Sequence, residues 1–85
     1  MKIEEQLKKI ITEVASRDIE IFEISDDVVL TSDLGFDSIQ IISLIVELES
    51  QLGIEIEDDD LDIEKLTIYQ NLYELVERKI QAKGL

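Results

Sequence analysis

The chain has no histidine and no cysteine among its 85 residues. Without cysteine, neither a disulfide framework nor a thiolate metal site can form, which fits a reducing compartment. Without histidine, a serine nucleophile lacks its commonest activating base. There is no apolar run long enough to span a bilayer, and no N-terminal signal pattern, because "MKIEEQLKKIITEV" is broken by charge every few residues. The length supports one modest core in a single domain over residues 1–85, with little room for a deep substrate cleft. These absences together argue against an autonomous enzyme and for a soluble cytoplasmic protein.

A further absence is regional. Eight basic and twenty-one acidic residues leave a net charge of −13. Sixteen of the acids lie between Asp18 and Glu64, and that stretch holds not one lysine or arginine. Such a field repels nucleic acid and anionic lipid and attracts basic protein surfaces. Asp58, Asp59, Asp60 and Asp62 crowd together, but their spacing and the missing glycine do not make a calcium loop. No metal site is assigned.

What is present reads as helices. Ile3, Leu7, Ile10, Ile11 and Val14 form one apolar stripe, predicting a helix over about residues 2–16 with Lys8 and Lys9 outward. Residues 17–37 lose that period. The alternation in "DIEIFEI" is locally strand-like, yet a lone strand has nothing to pair with. A long connection pinned by its apolar residues is expected, with a helical turn at "SDDVVL". From Ser38 to Leu52 the helical pattern returns, with Gln40, Ser43, Glu47, Ser50 and Gln51 on one polar arc and Glu49 inside the apolar side. Asp37 is placed to cap this helix, with Gln40 in the capping-box position and Gly53 as its stop.

After the acidic run, a short helix is expected with Ile63 and Leu66 inward. Thr67 and Gln70 have the spacing of a capping box for a last helix. In that helix Ile68, Leu72, Leu75 and Val76 form the stripe, flanked by Tyr69 and Tyr73, and Gly84 ends it. The sum is an all-α fold: a small four-helix bundle of three main helices and one short one, with a long loop between the first and second.

The residues that carry chemistry sit where the long loop meets the central helix: Leu34-Gly35-Phe36-Asp37-Ser38-Ile39. Gly35 frees the backbone to turn. Ser38 is the first helical residue, at the positive end of the helix dipole, where an attached anion is favoured. Ile39 is read as the start of the core face. A helix-start serine without function is the plain alternative.

The stretch "LGFDSI" resembles the Leu-Gly-x-Asp-Ser-Leu/Ile attachment motif of the acyl carrier proteins and their peptidyl carrier relatives. The resemblance runs through essentially the whole chain, including the Gly-Ile-Glu-Ile linker and the acidic short helix. It implies that Ser38 receives 4′-phosphopantetheine from coenzyme A through a separate phosphopantetheinyl transferase, with Leu34, Gly35, Asp37 and Ile39 as motif support. The transferase would supply the missing base and a divalent metal, and the arm would supply the missing thiol. The chain itself would be a non-catalytic monomer serving acyl-transferring and condensing enzymes with basic docking patches. Asp37, Gln40, Ser43, Glu47 and Glu49 are the docking positions implied. Ile42, Ile45, Val46, Ile63, Leu66 and Ile68 are candidates for lining an acyl cleft, and each is equally an ordinary core residue. Gln40, Ser43 and Ser50 are neutral where fatty-acid carriers often bear acids. That departure points toward a specialised polyketide, peptide or lipid-modification carrier.

Overall fold

The first apolar stripe becomes α1, Ile3–Val14, burying Leu7, Ile10 and Ile11 with Ile3 and Val14 packed at the edges. The structure is a computed structural model describing residues 2–16 and 18–83, with the Asp58 side chain left aside. Glu4 and Glu5 occupy the first turn of α1, where they complement the helix dipole. Lys8 does not point freely outward. Its ammonium pairs with Glu4 at 3.3 Å and lies 5.5 Å from the centre of the Tyr69 ring, so its aliphatic stem lines the seam with the last helix.

The central helix, α3, spans Ser38–Leu52 and buries Ile41, Leu44, Ile45 and Leu48. It packs against α1. Gln40 Nε2 donates to the Val14 carbonyl at 3.5 Å at one end, and Gln6, Lys9 and Ile10 share a surface hollow with Gln51 and Leu52 at the other. Gly53 follows in the left-handed conformation, φ 63°, which stops the helix as expected. Lys83 donates to the carbonyls of Leu52 and Gly53 at 2.8 and 3.3 Å, placing a cation at the negative end of α3.

Among the described residues, no strand lies between α1 and α3. A 3₁₀ turn, Ile21–Glu23, is followed by the four-residue α2, Leu30–Asp33. Ile19, Ile24, Val28, Leu30, Leu34 and Phe36 pin this connection into the core, whereas Ile21 and Phe22 stay exposed. The last helix, α5, is Tyr69–Ala82, so Gly84, expected to end it, lies outside the described residues.

The start of α5 corrects the sequence expectation. Thr67 does not cap it: the Thr67 hydroxyl donates back to the Glu64 carbonyl at 2.8 Å and so closes the short α4, Ile63–Leu66. Ile68 holds the N-cap position with no side-chain bond. The free amides of α5 find backbone partners instead. Tyr69 N donates to Val28 O at 2.9 Å and Gln70 N to Asp26 O at 3.1 Å. Leu30 N donates to Thr67 O at 2.6 Å, and Val29 and Ile68 form an isolated antiparallel bridge. A distant loop thus does the work of a local cap, which no local spacing could announce.

Two other expectations change. Leu66 is buried but Ile63 is 37% exposed, because a helix of little more than one turn presents one side chain inward, not two. Tyr69 does not flank the core; it is 1% exposed and inside it, stacked on Tyr73 with centroids 6.3 Å apart. Glu49 explains itself: its carboxylate accepts the Ile56 amide at 2.9 Å and ties α3 to the chain between Ile54 and Ile56, both buried. The acidic run forms a second 3₁₀ turn, Asp58–Asp60, and Asp60 pairs with Lys79 at 2.7 Å and Arg78 at 3.3 Å on α5. No described helix is long and apolar enough to cross a membrane.

Candidate functional site

The junction before α3 is held by two side chains that enter the core. Leu34 and Phe36 are each 3% exposed, and the Phe36 amide donates to Leu30 O at 3.0 Å, so the turn folds back on α2. Between them Gly35 takes φ +77°, a conformation that costs a residue with a Cβ about 1–2 kcal/mol. A Cβ there would meet nothing within 4 Å, so conformation alone favours glycine and the space beside it is open. Phe36 was not singled out from the sequence. Its alternation with Leu34, around a glycine, is the signal that was available.

Asp37 and Gln40 form the predicted reciprocal cap. The Gln40 amide donates to Asp37 Oδ1 at 2.8 Å, and the Asp37 amide donates to Gln40 Oε1 at 3.1 Å. With its second amide atom on Val14 O, Gln40 locks the start of α3 to the end of α1. Ser38 follows as the first helical residue and is exposed. The cap reaches the third amide of the helix. The first two have no acceptor within it and point past its positive end. An exposed hydroxyl on a fixed helix start, beside open space and unspent amide donors, fits covalent attachment of a phosphate-linked group. The Asp37 carboxylate is taken by the cap, and the chain has no histidine. Among the described residues no group of three or more carboxylates is placed to hold a metal ion.

Ile39 corrects the sequence reading. It is 74% exposed, so the core face begins at Ile41. Ile42 and Val46 are also half-exposed, and with Ile39 they form an outward apolar stripe that starts beside Ser38. The signal was the width of the apolar arc on this helix, wider than one core contact uses. Of the docking positions, Asp37 and Gln40 are engaged in the cap and Glu49 holds Ile56. Ser43 and Glu47 are exposed, Glu47 accepting from Gln51 at 3.0 Å. The cleft candidates divide. Ile45 and Leu66 are buried, whereas Ile42, Val46, Ile63 and Ile68 are exposed to between 36% and 55%.

Comparison with known proteins gives a family. A family profile described as a phosphopantetheine attachment site matches residues 5–78. Similar proteins include an acyl carrier protein from Nitratidesulfovibrio vulgaris, 38% identical over 60 residues, which cover 71% of this chain and 76% of that one. An acyl carrier protein from Thermotoga maritima is 29% identical over 58 residues, covering 68% and 69%. These matches place the chain in the acyl carrier protein family, whose prosthetic group is covalently attached 4′-phosphopantetheine.

Proposed function

We propose that Ser38 is the attachment residue and that the whole chain is one carrier domain for acyl intermediates of fatty acid, polyketide or related lipid biosynthesis. The observation that carries this is the exposure of Ser38 at a helix start fixed by Asp37, Gln40, Leu34 and Phe36. When attached, the group supplies the thiol on which cargo rides as a thioester. The residues of this chain hold the arm's root. The α3 dipole and its unspent amides favour the phosphate, and the cap keeps the hydroxyl facing out. In the transfer the Ser38 oxygen bonds to the phosphorus that carries the pantetheine arm, the pyrophosphate bond of coenzyme A breaks, adenosine 3′,5′-bisphosphate leaves, and the hydroxyl proton passes to a base supplied by the transferase.

The chain itself catalyses nothing on this reading and works as a cytoplasmic monomer. Partners read Ile39, Ile42 and Val46 together with Ser43, Glu47 and the surrounding acids, and apolar cargo finds shelter toward Ile45, Ile63, Leu66 and Ile68. A specialised carrier is favoured over a housekeeping one, because α3 has Gln40, Ser43 and Ser50 at positions where fatty-acid carriers often bear acids. The second reading is a peptidyl or aminoacyl carrier, which the same neutral helix suits; an unmodified acidic interaction module would have no use for the complete motif. Incubation with coenzyme A and a broad-specificity phosphopantetheinyl transferase should add one phosphopantetheinyl group by intact mass, and none to Ser38→Ala. No gain in the unaltered chain, or a gain that survives the substitution, would overturn the assignment.

A further inference from the structure

Phe22 is 84% exposed, more than any other large apolar side chain described. Scattered exposed apolar residues are ordinary, and what sets Phe22 apart is how it is held. Its 3₁₀ turn is closed by a reciprocal cap: the Glu20 amide donates to the Glu23 carboxylate at 2.7 Å and the Glu23 amide to Glu20 O at 2.9 Å. Ile19 and Ile24, on either side, are 7% and 1% exposed, so the turn is pinned at both ends and cannot tuck the ring inward. Ile21 stands half-exposed beside it, and the exposed carboxylates of Asp18, Glu20 and Glu23 flank the pair. The turn packs on α1, whose last residue meets Gln40 in the first turn of α3, the turn that bears Ser38.

The carboxylates select the occupant. A second copy of this chain, itself at −13, is repelled, and so is an anionic lipid surface. A basic protein surface is attracted. Among such partners, the transferase alone meets the chain before any arm exists, so all of its grip on the carrier comes from the protein surface. A standard interface covers about 800 Å² per partner, a patch about 30 Å across. The molecule measures 35 × 27 × 21 Å, so a patch of that size is comparable with a whole side of it. Aromatic side chains presented rigidly are the usual anchors of such interfaces.

We infer that Phe22 is a docking anchor for the phosphopantetheinyl transferase, entering an apolar pocket rimmed by basic side chains while Ser38 reaches the catalytic centre. The inference rests on the attachment reading above. Steady-state modification of the unmodified chain by a purified broad-specificity transferase, with coenzyme A and magnesium, tests it. Phe22→Ala should raise KM for the carrier about tenfold and change kcat less than twofold, with the melting temperature unaltered because the ring is exposed. Phe22→Leu should restore most of the loss, and Asp18→Asn should raise KM less and flatten its dependence on salt. A KM within twofold of the unaltered chain for Phe22→Ala overturns the anchor and leaves the attachment reading standing. Failure of the unaltered chain to be modified overturns the attachment reading itself.

Discussion

The two apolar sides of α3 are nearly identical in composition and opposite in use. Ile41, Leu44, Ile45 and Leu48 face inward at 6% exposure or less, while Ile39, Ile42 and Val46 are 50–74% exposed. At 100° per residue the two sets are centred about 140° apart within one apolar arc of about 220°. The core takes about 100° of that arc, the width a helix usually gives to its own fold. The remainder is apolar surface that folding does not consume, and it starts beside the exposed serine. Hydrophobicity on a helix therefore records two demands at once, the core's and a partner's.

The carboxylates divide in the same way. Asp60 is drawn onto Lys79 and Arg78, Glu49 onto the Ile56 amide and Asp37 onto the α3 cap, while residues such as Asp59 and Glu55 face outward. Bonded acids hold elements together, and unbonded exposed ones set the field that partners meet.

The largest effect that can break this comparison is at the buried face. Leu48→Ala, at a fully buried position, should cost about 2–5 kcal/mol in chemical denaturation, whereas Val46→Ala, two residues away on the outward side, should stay within about 0.5 kcal/mol. Equal losses would mean that the outward stripe belongs to the core.

A smaller effect separates the acids. The Lys79 ammonium, helped by the Glu57 amide, holds the Asp60 carboxyl below its ordinary 3.8. A carboxyl lowered in the native state stabilises it above the unfolded value, and that contribution disappears as pH falls through the native one. Asp60→Asn should therefore lower the melting temperature at neutral pH, with the difference from the unaltered chain closing below pH 3.8. Asp59→Asn, at an exposed carboxylate, should leave the melting temperature at neutral pH unchanged.

The smallest effect has the opposite sign. The Tyr69 hydroxyl is buried without a hydrogen-bond partner among the described residues, and burial, aided by the charges of Glu4 and Asp26, pushes its pKa well above 10.0. Tyr69→Phe should leave stability unchanged or raise it by up to about 1 kcal/mol. A loss beyond that would show that the hydroxyl is satisfied in solution.

Legibility in the sequence followed locality. The α3 cap was readable because Asp37 and Gln40 are three residues apart and satisfy each other. Gly53 was readable because a left-handed stop needs no distant partner. Thr67 misled for the converse reason: its spacing to Gln70 matched a cap, but the loop carbonyls of Asp26 and Val28 had already taken the amides of Tyr69 and Gln70. Ile39 and Ile63 misled because an apolar residue on a helix does not say which neighbour will cover it.

The sequence by itself determined the three long helices and the short α4, the capped serine at the start of α3 and the family that the chain resembles. Each rests on contacts within a few residues or on a motif whose members are contiguous. Tertiary structure alone decided which part of the apolar arc is core, that Tyr69 is interior, and that Phe22 and the Ile39–Val46 stripe stay outside. Burial is a property of what packs against a side chain, and that depends on residues far away in the chain.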